Sequence, residues 1–172
     1  ANNVAAGATL IGGNDRIEGY IASNVFGDAL QAAGTVIGGD DLIRLLLPVT
    51  TSTVVFFGTT AGDVESSTGS LVGGDDVIHL ANLQEVGGVS GDAGIASAGT
   101  FIGGNDTIII ERDATLPLMI LGDVLVAGDA WELQAGVTSA IGGNDTMTLR
   151  NVTGATRNVA GDFVTSAVTM TG

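Results

Sequence analysis

Five short stretches of this chain gather oxygen-bearing side chains: Asn14-Asp15, Asp40-Asp41, Asp75-Asp76, Asn105-Asp106 and Asn144-Asp145, each preceded by an Ile or Val and two glycines. Five more aspartates directly follow a glycine: Asp28, Asp63, Asp92, Asp129 and Asp162. These fifteen residues are the candidate metal ligands, and they include twelve of the fourteen aspartates, leaving only Asp113 and Asp123 outside. A surface made acidic for solubility would scatter its charges, so the clustering reads as a site pattern. If equivalent aspartates stack from coil to coil at a strand spacing of about 4.8 Å, neighbouring carboxylates repel by about 3 kcal/mol at an effective dielectric of about 20. A row of them needs cations between its members. Carboxylates, Asn amides and the carbonyls exposed by glycine turns are hard donors, which suit Ca2+ with its roughly 6 to 8 oxygen ligands. Zinc suits them poorly, because the chain has one histidine and no cysteine. The competing reading is that these side chains only close tight turns through Asx hydrogen bonds.

The elements that must position these residues repeat with them. The double glycines begin at 12, 38, 73, 103 and 142, so the periods are 26, 35, 30 and 39 residues. From each Gly-Asp to the next double glycine is 11, 11, 12 and 14 residues, whereas the other half of the unit varies more. Insertions confined to one part of a repeat are what a solenoid permits, because they leave its other faces undisturbed. Short β-branched runs follow each double glycine: 16–21, 42–47, 77–80, 107–110 and 146–149, with an apolar residue (Ile17, Ile43, Ile78, Ile108 or Met147) two positions after the aspartate. Further apolar runs lead into each Gly-Asp, at 25–26, 53–57, 86, 118–127 and 159–160. They are bounded by turn residues and read as strands. The expectation is an all-β chain: a parallel β-roll or β-solenoid of about five coils with variable loops, with a β-sandwich as the alternative. Residues 1–172 read as a single repeat domain, with repeats near 1–28, 29–63, 64–92, 93–129 and 130–172. Both ends are half-units with open strand edges. This suits head-to-tail stacking of copies, and it equally suits a piece cut from a longer repeat protein.

Composition narrows the functions. The net charge is −14, from nineteen acids against five arginines and no lysine, so nothing is available to neutralise nucleic-acid phosphates. No apolar run reaches the roughly 18 residues of a membrane span. Without cysteine, no disulfide framework staples the fold. With a single histidine and the carboxylates committed to repeated turns, no nucleophile–base set emerges, and the chain is not expected to be an enzyme. His79 reads as an ordinary strand residue. Arg16, Arg44, Arg112, Arg150 and Arg157 read as ion pairs or solvated charges.

Gly103-Gly-Asn-Asp-Thr-Ile108 resembles the Gly-x-Asx-Asp-x-apolar half of the nonapeptide of RTX (repeats-in-toxin) calcium-binding proteins, and Gly-Asp-Ala at 27–29 and 128–130 is similar to a common opening of that nonapeptide. The resemblance implies a parallel β-roll in which turns of successive coils share Ca2+ and fold on binding it. It assigns the motif aspartate to Asp15, Asp41, Asp76, Asp106 and Asp145, and the fourth-position glycine to Gly13, Gly39, Gly74, Gly104 and Gly143. The chain departs from the family in its spacing, since its two motifs are separated rather than nine residues apart. The resulting expectation is a secreted or cell-surface calcium-binding structural protein that assembles head-to-tail into a fibre or surface layer. The alternative is a binding or secretion module of a larger adhesin or exported enzyme. Cell-surface polysaccharide is a candidate partner beside self and calcium.

Overall fold

The computed structural model describes residues 2–20, 24–49, 58–117, 119–121, 125–154, 159–166 and 170–171. The run at 53–57 and Arg157 lie outside these residues. Among those described, every strand ladder is parallel, and each strand pairs with its equivalent one repeat away. The chain is therefore a parallel β-solenoid. A β-sandwich, which is built from antiparallel sheets, does not describe it.

Each coil begins at a Gly-Asp and runs through four kinds of strand. The first sheet holds Ala29–Ala32, Val64–Ser67 and their equivalents beside Thr35–Ile37 and Leu71–Val72; the two rows fuse in the long strands Ala93–Ile102 and Ala130–Ile141. The double-glycine turn follows and leads into a second sheet of Arg16–Gly19, Leu42–Leu46, Val77–Ala81, Thr107–Glu111 and Thr146–Arg150. These are the runs read as strands from the sequence, with ends shifted by one or two residues. A third sheet of two-residue strands, Val25–Phe26, Thr60–Ala61, Val89–Ser90, Val126–Ala127 and Val159–Ala160, returns the chain to the next Gly-Asp. The variable half of the repeat also carries a small sheet of Glu85–Val86, Met119–Leu121 and Val152–Gly154. The length differences between repeats fall mostly in this half.

The alternation of the second sheet explains its register. Ile17, Ile43, Ile78, Ile108 and Met147 stack in one inward column, paired residue to residue across all five strands. Leu45, Leu80, Ile110 and Leu149 form the next inward column. A slip of one residue would turn both columns to solvent. Burying each such side chain stabilises the coil by about 1.5–3 kcal/mol. Outward from this sheet point Glu18, Arg44, His79, Glu111 and Arg150, which pair with one another and with Arg16 at 2.7–3.6 Å. Such half-exposed pairs contribute about 1 kcal/mol or less each.

The interior is divided in two. One core joins the second and third sheets through Ile43, Leu45, Ile78, Leu80, Val89, Ile108 and Val126. The other lies inside the first sheet around Val36, Val64, Leu71, Phe101 and Leu133, where Phe101 meets Phe163 edge-on at 5.5 Å. Between them the coil is pinched, because the Gly-Asp turn and the double-glycine turn of one coil are hydrogen-bonded to each other: Gly39 N–H donates to Asp28 at 3.2 Å, and Gly74 N–H to Asp63 at 3.2 Å. The aspartates sit at this waist.

Candidate metal centre

The constant half of the repeat positions the site. The 11–14 residues from Gly-Asp to double glycine are the first sheet's two short strands and the bend between them, which fold the chain back so that its two turns meet. At the meeting point the backbones approach too closely for side chains. A Cβ on Gly91 would overlap Asp106 Oδ2 and the Gly128 carbonyl, and the equivalent glycines 27, 62 and 128 are crowded in the same way. Glycine is required there by close approach rather than by φ.

Two ladders run along the waist. In one, the N–H of each motif aspartate donates to the carboxylate of the next coil's motif aspartate: Asp15 to Asp41 at 2.6 Å, Asp41 to Asp76 at 2.6 Å, Asp76 to Asp106 at 2.7 Å and Asp106 to Asp145 at 2.9 Å. The sequence separations of these bonds are 26, 35, 30 and 39 residues, the motif periods themselves. In the other, Asp28, Asp63, Asp92 and Asp129 each accept the N–H of the second residue of the double glycine that follows them, Gly39, Gly74, Gly104 and Gly143, at 3.2–3.3 Å.

The two ladders converge into four clusters, each with carboxylate oxygens within 4.8 Å of one another: Asp28-Asp41-Asp63, Asp63-Asp76-Asp92, Asp92-Asp106-Asp129 and Asp129-Asp145-Asp162. Each combines Gly-Asp carboxylates from two successive coils with the motif aspartate of the first. Asp63, Asp92 and Asp129 serve two clusters apiece. Three carboxylates from two successive coils, gathered in this way, could hold a metal ion.

The electrostatics demand something positive there. Burial, with neighbouring negative charge adding to it, pushes the carboxyls up: Asp41 to about 7, Asp76 and Asp129 to about 8, and Asp106 to about 9, against the usual 3.8. Asp145 is raised to about 6, and Asp63 and Asp92, wholly buried, are raised well above the ordinary range. Asp41 Oδ2, Asp63 Oδ1, Asp76 Oδ2, Asp106 Oδ2 and Asp145 Oδ2 are buried with no hydrogen-bond partner. The four motif Oδ2 atoms abut the glycines that precede Asp28, Asp63, Asp92 and Asp129, so they point into the clusters. A buried, unpartnered carboxylate oxygen is costly unless a proton or a cation meets it. The residues present thus fit a metal ion held by oxygen donors.

Not all candidate residues converge here. Asn14, Asp40, Asp75, Asn105 and Asn144 form a separate exposed ladder, in which the first four side chains each accept the next coil's backbone N–H at 2.8–3.2 Å, outside the four clusters among the described residues. Asp15 is exposed and belongs to none of the four clusters; its N–H supports Asp41. Elsewhere, His79 Nε2 meets Glu111 at 2.9 Å, and the Arg112 guanidinium is buried against the carbonyls of Asn82 and Leu83. Among the described residues no helix is long and apolar enough to cross a membrane. Comparison with known proteins finds no family model, no curated sequence and no solved structure that matches the chain.

Proposed function

We propose that this chain is an extracellular calcium-binding structural protein of RTX-like type, folded by ions that occupy its waist and assembled head-to-tail through its open coil ends. The observation that carries the reading is the row of unpartnered buried carboxylate oxygens gathered three groups at a time. Nine aspartates make up the four clusters. Four divalent ions would supply eight positive charges to these nine carboxylates, whereas four monovalent ions would leave five of the nine charges uncompensated. Calcium is favoured over magnesium because Mg2+ retains several waters in its shell, and groups that are 0–2% exposed leave little room for them. Zinc is disfavoured by an all-oxygen donor set.

Assembly is supported by strand edges. The second sheet ends on Arg16–Gly19 at one side and Thr146–Arg150 at the other, each paired on one flank only among the described residues. Open edges are templates for a further strand, which a second copy would supply under this reading. The reading assigns binding and scaffolding to the chain and no catalytic step. Cell-surface polysaccharide is the surface it would meet outside the cell.

Three measurements test the reading. Metal analysis of protein dialysed against calcium should give about four ions per chain, and chelation should lower the thermal midpoint of the β-sheet circular dichroism; a midpoint unchanged by EDTA with no bound calcium removes the metal. Electron microscopy of the calcium-loaded chain should reveal fibres or sheets. A persistent monomer would instead favour a module of a larger exported protein.

A further inference from the structure

The four clusters differ in their access to solvent. Asp63, Asp76, Asp92, Asp106 and Asp129, which form the two central clusters, are 0–1% exposed, whereas Asp28 in the first cluster and Asp145 and Asp162 in the last are partly open. Backbone closes the flanks of the central pair. On one side the α-carbons of Gly73 and Gly103 lie against the carboxylates of Asp92 and Asp129; on the other, those of Gly62 and Gly91 lie against Asp76 Oδ2 and Asp106 Oδ2. Along the axis each central cluster is bounded by another that shares a carboxylate with it. The unpartnered Asp63 Oδ1, Asp76 Oδ2 and Asp106 Oδ2 belong to these closed positions.

We infer that the ion positions are of two kinds: the central positions, Asp63-Asp76-Asp92 and Asp92-Asp106-Asp129, trap their ions in the folded chain, whereas the outer two exchange them freely with solvent. The inference rests on the metal reading above and adds to it a rule of access. A central ion has no lateral exit between the turns, and an exit along the axis is crossed by the buried carboxylate, Asp63 or Asp129, that its cluster shares with the outer one. It leaves when the coil itself opens, so its release rate is the rate of that opening. An outer ion leaves past a half-exposed carboxylate without any rearrangement of the coil. The central ions must accordingly enter while the coils close, during folding.

The test uses the full chain saturated with radiolabelled Ca2+, stripped of free label, and challenged with excess EDTA. Retained label is followed by rapid filtration, and unfolding in the same buffer by Trp131 fluorescence; the indole is 8% exposed and packs against Gly88 and Gly94 beside the third cluster. About half of the label is expected to leave in a fast phase, and the remainder at the rate at which Trp131 reports unfolding. The double variant Asp28→Asn/Asp162→Asn should lose fast amplitude and keep the slow phase. A full load that departs in one fast phase while Trp131 still reports the folded chain overturns the trapping and leaves the metal reading standing. A chain that retains no label at the outset overturns both. Loss of the slow phase in the double variant also overturns the trapping.

Discussion

Replacing Asp106 by Asn distinguishes a ligand from a turn cap, because the two roles predict different responses when calcium is withdrawn. The Asp106 carboxyl is 1% exposed; its Oδ1 accepts the Asp76 N–H at 2.7 Å and its Oδ2 has no partner. Burial raises it to about 9 and the negative charges of Asp76, Asp145 and Asp129 push in the same direction, while the Asp76 N–H pulls it down. Without metal at neutral pH it must hold a proton that the unfolded chain, titrating near 3.8, has released. Each pH unit of that gap costs about 1.36 kcal/mol, so proton uptake at pH 7 costs about 4 kcal/mol. Asparagine retains the shape and the Oδ1 acceptor and needs no proton. In EDTA at pH 7 the variant should therefore be more stable than the parent, by up to about 4 kcal/mol. In calcium that advantage should shrink by most of one site's binding energy. A single filled site contributes about 2.7 kcal/mol when free ion is about 100-fold above Kd, and the variant forfeits much of this in the third cluster. Urea unfolding monitored by Trp131, in EDTA and in millimolar calcium, reads both arms. A variant weaker than the parent by the same amount in both buffers would refute the ligand role, since that is the signature of a lost turn contact.

The metal-free chain should show an inverted acid response. Asp145, Asp41, Asp76, Asp129 and Asp106 all have folded values above 3.8, at about 6, 7, 8, 8 and 9. Their contribution is complete below about 3.8 and is lost as pH rises through 6 to 9. Thermal melts in EDTA should therefore fall steadily from acid to alkaline pH, whereas calcium should flatten or reverse the slope; an EDTA profile that rises toward neutrality counts against the buried clusters. Gly91→Ala should be severely destabilising, by about 3 kcal/mol or more, because its Cβ would overlap Asp106 Oδ2 and a carbonyl; Gly13→Ala, with nothing within 4 Å, should change stability by about 0.5 kcal/mol or less. Similar losses at both would remove the close-approach account. Asp75→Ala deletes the acceptor of the Asn105 N–H and side-chain amide, at 2.8 and 3.0 Å, and should cost about 1 kcal/mol with the ion count unchanged. A drop in bound calcium would instead make the exposed ladder part of the metal site.

What the sequence made legible was whatever recurs locally. The motif periods reappear as the separations of the inter-coil hydrogen bonds, and the apolar residue two positions after each motif aspartate, from Ile17 to Met147, became an inward column. The site's composition was less legible, because stacking and convergence leave different traces. Stacking equivalent turns predicts that Asp41 meets Asp76, and their ladders do meet. It does not predict that Asp41 also faces Asp28 and Asp63, which requires the first sheet to fold back and pinch the coil. One signal of that pinch was present: the nearly constant distance from Gly-Asp to double glycine marks two points held at a fixed separation while the rest of the coil varies. The exposed Asn14, Asp40, Asp75, Asn105 and Asn144 could not be told from the buried aspartates beside them by type alone. What separates them is the turn, which points adjacent side chains in different directions.

The pinch also accounts for the mixed composition of the motif. A metal turn exposed to water could hydrate its carboxylates when empty and would tolerate any small residue before them. Here the carboxylates of two turns face each other across backbones so close that a Cβ on Gly62 or Gly91 finds no room, and the Oδ2 atoms of Asp76 and Asp106 are buried with no N–H to meet. Glycine creates the proximity, aspartate fills it with charge, and the charge is tolerable only when neutralised. The same residues that draw the two turns together therefore make the coil's stability conditional on what occupies the space between them. Loosening the waist without replacing a carboxylate, as Gly91→Ala would, should weaken calcium binding as strongly as removing a ligand does, because the positions of Asp92 and Asp106 are set by that approach.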